Sequence, residues 1–250
     1  MKRLVALLTL ASLLTFGYVN TLYAQAEGSS TTTTLVDEAQ PKGFHNLLKD
    51  YFIQGGAGFM GIILLTLILG LAIAIERILY LNLSTTNTQK LLNQVEAAME
   101  SKGVDAAKEI CKNTRGPVAG IFYQGLHRYD EGIEIVEKSV ISYGSVLVGR
   151  LESGLSWMSL FIALAPMLGF MGTVIGMIAA FDNIEAAGDI SPTIVAGGIK
   201  VALLTTVFGL IAAIILQIFY NYLLSKIDSL VNNMEDSSIS FIDILAKYKK

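Results

Sequence analysis

The sequence predicts an all-α membrane protein with three transmembrane helices, the second and third extended into a cytoplasmic helical bundle. Three observations carry that prediction. Hydrophobic residues make up 53% of the 250-residue chain and charged residues 16%, against roughly a quarter charged in a soluble domain, and mean hydropathy is +0.57. Three uncharged apolar stretches, residues 57–75, 153–181 and 201–225, are each long enough for a hydrocarbon core that takes about 20 residues to cross. Lys and Arg are lopsided: nine lie between Arg77 and Arg150 and none between Asp182 and Pro192, while the tail carries Lys226, Lys247, Lys249 and Lys250. By the positive-inside rule the large loop and the tail are cytoplasmic and the short acidic loop is outside.

The chain opens like a secretory signal, residues 1–26: Lys2 and Arg3, an apolar run from Leu4 to Leu14, and the small-x-small pattern Ala24-Gln25-Ala26. An uncleaved anchor is the competing reading. The apolar run is short for a span of about 20 residues, which favours cleavage. With cleavage the mature chain starts outside the cytoplasm, and three spans then bring the C-terminus inside, in agreement with the charge argument. Residues 27–42, rich in Ser, Thr and acid, have too little apolar surface to fold and read as a periplasmic linker. Residues 43–54 place Phe44, Leu47, Leu48, Tyr51 and Phe52 on one helical face opposite Lys49 and Asp50, the pattern of an interfacial amphipathic helix. The first span, 56–81, has Glu76-Arg77 closing its apolar run and Tyr80 as an interfacial anchor.

Residues 82–152 form a cytoplasmic helical region. Leu91, Leu92, Val95, Ala98 and Met99 make one helical stripe, with breaks at Gly103 and Gly116-Pro117. Ile133, Val136, Val140, Tyr143, Leu147 and Leu151 make a second, expected to pack on neighbouring helices and help hold an oligomer. No breaker is evident after it, so one helix is expected to run on into the second span, 153–181. The periplasmic loop then covers 182–193 with Asp182, Glu185 and Asp189. The third span covers 194–225, and 226–250 is the cytoplasmic tail.

The spans carry the residues of interest. In the second, Pro166 removes a backbone donor, and Gly169, Gly172 and Gly176 leave one face bare for close helix approach; Gly209 offers the same on the third. Thr173 either satisfies its hydroxyl on its own helix or donates across an interface. On the third span Thr205 and Thr206 point about 100° apart, so only one of them faces a pore squarely. Lys200 either snorkels to the outer surface or marks a pore mouth or subunit interface. No Asp or Glu lies within the apolar stretches 57–75, 153–181 and 201–225. A proton path through this chain therefore needs water along hydroxyls or a carboxylate from a partner. The lone Cys111 excludes an internal disulfide and a Cys-only metal site, and His45 and His127 have no metal-ligand spacing. The sequence offers no catalytic residue, cofactor, metal site or nucleic-acid-binding basic cluster, so an enzyme is not expected.

At these residues the chain resembles the MotA/TolQ/ExbB proton-channel family, and its ExbB branch most. The second-span stretch APMLGFMGTVIG, Ala165–Gly176, and the third-span stretch GIKVALLTTVFGL, followed by an apolar run to Tyr220-Asn221, carry the resemblance together with the three-span topology. It covers about Phe44 to the C-terminus. It implies a homopentameric ring in the inner membrane whose second and third spans enclose a channel, a single-span ExbD-like partner carrying an essential Asp inside it, and proton-motive force passed through a TonB-like protein to outer-membrane transporters. It also implies that Thr173 and Thr206, with Thr205 beside them, line the proton pathway opposite the partner's carboxylate. The pattern departs at Val201, where many members have Glu, with Lys200 next to it. A TolQ-type subunit of the Tol-Pal envelope system and a non-conducting scaffold remain the alternatives.

Overall fold

The computed structural model describes residues 44–188 and 192–248. The expected signal and linker, residues 1–42, and Asp189 lie outside the described residues. Leu47–Lys250 forms one compact unit. The described residues are helical with no strand. We label the helices α1 (Phe44–Gln54), α2 (Ala57–Leu83), α3 (Thr88–Lys102), α4 (Val104–Asn113), α5 (Pro117–His127), α6 (Ile133–Glu152), α7 (Leu155–Ala187) and α8 (Pro192–Tyr248), with a 3-10 turn at Tyr129–Glu131. Three of them, α2, α7 and α8, hold stretches long and apolar enough to cross a membrane.

The α3–α6 segment follows its sequence signals closely. Asn87 caps α3, its side-chain oxygen accepting from the Lys90 N–H at 3.0 Å. The stripe Leu91, Leu92, Val95, Ala98 and Met99 is the buried face of α3. Breaks fall at Gly103 and Gly116, and Pro117 starts α5 where its missing N–H is harmless. Cys111 is buried in this core, and burial pushes its thiol up to about 12, since a thiolate there would be desolvated.

The tail is not a separate element. α8 runs unbroken for 57 residues, about 85 Å at 1.5 Å per residue. Its far half buries Leu223, Ile227, Leu230, Met234, Phe241 and Leu245 at spacings of three, four and seven, the stripe that lets one face stay in a core. Phe241 stacks on Phe122 with centroids 4.4 Å apart, and Gly125 makes room for it: a Cβ there would stand 2.6 Å from the Phe241 ring. Lys247 closes the end on Glu96 at 3.3 Å; that hydrogen bond raises the pKa of its ammonium.

Three expectations need correction. The helix before the second span does not run on into it: α6 ends at Glu152, Ser153 and Gly154 form a turn, and Gly154 takes a left-handed φ of 86° before α7 starts. The reason is tertiary. Arg77 of α2 lies against Gly154, so that a Cβ there would come 2.9 Å from its Nε. Its guanidinium donates to the Arg150 carbonyl at 3.5 Å and the Ser153 hydroxyl at 3.4 Å. Glu76 sits 3.0 Å from the buried Nε without a hydrogen-bond angle.

The outer loop, expected at 182–193, is also shorter. The Ala-rich end of α7 carries the helix to Ala187, placing Asp182 and Glu185 on it, and Gly188 stops it at φ 70° with its N–H on the Ile184 and Glu185 carbonyls. Finally, the stripe Ile133–Leu151 is occupied within the chain. Val136, Val140 and Leu151 are buried, and Ile133, Tyr143 and Leu147 pack on the same core as α5 and the far half of α8. It is not a surface left open for a neighbouring subunit.

Candidate functional site

α7 and α8 meet along a seam of small residues. A Cβ added to Gly169 would lie 3.1 Å from the Thr205 carbonyl oxygen and 3.3 Å from the Gly209 Cα. On Gly176 it would lie 3.2 Å from the Ala202 nitrogen, and on Gly209 2.6 Å from the Ala165 carbonyl oxygen. Gly198 fits against Ala180 at the end of the seam next to the α7–α8 connection. Backbones come this close only where side chains are missing, and the reward is dispersion contact along the whole seam. Pro166 sits inside α7, whose helix continues past it to Ala187.

α2 covers one flank of this pair. Met60 and Ile63 pack with Ala165, Ala212 and Ala213, and Phe59, Leu168 and Phe208 border that cluster. A Cβ on Gly172 would meet both Thr205 Oγ1 at 2.6 Å and the Phe59 ring at 2.8 Å. Lower down, Leu216 lies on Gly70. Helical periodicity then fixes the other flank. On α7, Thr173 falls on the side away from Leu168 and Phe59. On α8, Thr206 falls on the side away from Phe208 and Ala212. The two threonines therefore share the flank that α2 leaves open, at one level of the seam.

Their hydroxyls are held but not sealed. Thr173 is half-buried and donates to the Phe170 carbonyl at 2.6 Å. Thr206, also half-buried, donates to the Gly169 carbonyl across the seam at 3.3 Å and lies 3.4 Å from the Ala202 carbonyl. Each hydroxyl oxygen keeps lone pairs for an incoming donor. Exposed Phe170, Val174 and Leu210 surround them.

Thr205 is different. It is 1% exposed and its hydroxyl donates to the Ala202 carbonyl at 2.8 Å. It lies against Gly172, beside the Phe59 ring, at the junction of α2, α7 and α8 and not on the open flank. Lys200 is exposed on α8 and lies on the side away from the seam, not beside Thr206. One polar residue of the open flank, Gln217, is missing from the sequence-based candidates. It is exposed, eleven residues after Thr206 and so on nearly the same face, and it donates to Asn221 Oδ1 at 3.3 Å. A search of the third span at that period would have found it. No group of metal-ligating side chains occurs among the described residues.

This architecture defines a class: a helical membrane protein with three candidate spans and a hydroxyl-bearing flank on a glycine-packed helix pair. Residues 113–236 match the model of the MotA/TolQ/ExbB proton channel family. The chain is similar to a putative biopolymer transport protein ExbB homolog of Methanothermobacter thermautotrophicus, with 34% identity over 170 residues, 67% of this chain and 60% of that protein. It is similar to a putative biopolymer transport protein ExbB-like 1 of Synechocystis sp., with 31% identity over 183 residues and 71% of each chain. The biopolymer transport protein ExbB of Neisseria gonorrhoeae is 29% identical over 150 residues, 60% of this chain and 66% of that one. The chain thus spans less than two thirds of the first of these relatives. It belongs to the MotA/TolQ/ExbB proton channel family and within it is most like the ExbB proteins.

Proposed function

We propose that the chain is an ExbB-type subunit of an inner-membrane motor driven by proton-motive force, energising TonB-dependent transport across the outer membrane. Several copies, five by family resemblance, form a ring in which α7 and α8 surround a channel. A single-span ExbD-like helix occupies the channel and supplies the carboxylate that these spans lack. In this arrangement α2 lies outermost, the α3–α6 region and the far half of α8 are cytoplasmic, and the α7–α8 connection faces the periplasm. The signal at residues 1–26 and the periplasmic linker belong to the same reading.

The observation that carries it is the shared open flank of Thr173 and Thr206. A hydroxyl exposed to lipid has nothing to hydrogen-bond with beyond its own helix, whereas one exposed to a wet channel can pass a bond to water or to a carboxylic acid. The threonines do not titrate. They hold water or the partner's carboxyl in line, and the partner's Asp takes and releases the proton. The chain then catalyses no covalent reaction and couples ion flow to movement of the partner.

The test is proton flux in proteoliposomes containing the chain with its co-purified single-span partner. Thr206→Val keeps the shape and removes the hydroxyl, and flux is expected to fall about tenfold, the effect of one lost hydrogen bond in the conducting state. Undiminished flux and transport would leave Thr206 as a packing residue. Recovery of a TolR-like partner instead of an ExbD-like one would move the protein to the Tol-Pal system.

A further inference from the structure

The outer halves of α7 and α8 carry charges with no partner among the described residues. Lys200 is exposed and makes no ion pair or hydrogen bond among the described residues, and the same holds for the side chains of Asp182 and Glu185. Direction explains this. Gly198 faces Ala180 across the seam. Lys200 is two residues beyond Gly198 and Asp182 two residues beyond Ala180, so each lies about 200° round its helix, on the back of the seam. The two groups of one chain cannot meet.

Level also matters. Gly198 opposite Ala180 and Gly176 opposite Ala202 put Lys200 at the height of Ile178, one turn of α7 inward from Asp182. That offset is about 6 Å, within reach of an outward-pointing lysine stem. Below the charges both backs are apolar and exposed: Leu203, Val207 and Ile214 on α8, Ile178, Ile175 and Met171 on α7. Lys200 lies eight residues into α8, about 12 Å along the helix from Pro192. A cation at that depth is normally matched by a counter-charge or by snorkelling.

We propose that Lys200 of one copy pairs with Asp182 of the next, with Glu185 adding to the negative field, where the back of α8 packs on the back of α7. The occupant of this surface is a second copy of the chain, chosen by charge complementarity at the outer end and apolar match below it. The contact is head-to-tail, the kind that closes into a ring when the rotation between copies divides a full turn. The proposal rests on the ring assigned above. It gives Lys200 the task of fixing rotational register between subunits at the periplasmic rim.

The full-length chain in membranes, with Cys111→Ala, tests it. Lys200→Cys together with Asp182→Cys and a short bis-maleimide should give a ladder of covalent multimers, and either cysteine alone should not. In parallel, Lys200→Glu should raise the concentration at which the detergent-solubilised oligomer dissociates by about tenfold, and adding Asp182→Lys should recover most of that loss. Lack of a ladder, or a Lys200→Glu oligomer as durable as wild type, would overturn the pair while native mass spectrometry still showed a wild-type oligomer. A monomeric wild type would overturn the ring itself.

Discussion

Gly172 sits where three helices meet: a Cβ there would come against a hydroxyl and an aromatic edge belonging to two different helices. Neither neighbour can retreat, because Thr205 is fixed to the Ala202 carbonyl and Phe59 borders the Met60 cluster. Gly172→Ala is therefore expected to destabilise the three-span core by about 1–3 kcal/mol, the usual penalty of overpacking, measurable as a lower midpoint in detergent-unfolding curves. Thr205→Val, by contrast, should leave both fold and flux nearly intact, since its hydroxyl serves only its own helix. The sequence placed a glycine face on α7 and two adjacent threonines on α8, and helical geometry separated those threonines by about 100°. It did not say which one α2 would cover.

The junction between α6 and α7 shows the same limit at the level of elements. An unbroken apolar pattern suggested one helix, and Ser153-Gly154 gave too weak a signal against it. What breaks the helix is the Arg77 side chain, 15% exposed, seated on Gly154 and bonded to the end of α6. Gly154→Ala would force a Cβ into a left-handed conformation and against the guanidinium. A loss of about 1–2 kcal/mol is expected, with faster proteolysis between α6 and α7 as the readout. α8 is the opposite case. Its seam residues and its far stripe keep one helical period for the whole length, so no turn is needed between them, and the same helix packs on α7 at one end and in the α3–α6 core at the other.

For the molecule as a whole, that continuity ties the open flank at Thr206 to the packing around Phe241. Val140 lies in the second of these regions. It is 2% exposed, in the core that also holds Phe122 and Phe241. Val140→Asp should therefore unfold the α3–α6 region within each chain, by more than about 3 kcal/mol, rather than weaken contacts between chains. Loss of helical circular dichroism and rapid trypsin cleavage before any change in oligomer mass would check it. A variant that stayed folded and merely dissociated would return the stripe to a subunit interface.

Length, hydropathy and charge distribution are additive along the chain, so the sequence alone determined three spans, an expected orientation, the glycine-rich seam residues and the family. The period of a helix likewise determined which residues share a face. Where that face points depends on what packs against it. Only the tertiary structure placed α2 over Thr205, left Thr173 and Thr206 together on the free flank, turned Lys200 to the back of the seam and filled the Val140 stripe from within. Those outcomes come from contacts between residues far apart in sequence, and no local pattern encodes the direction of a neighbour.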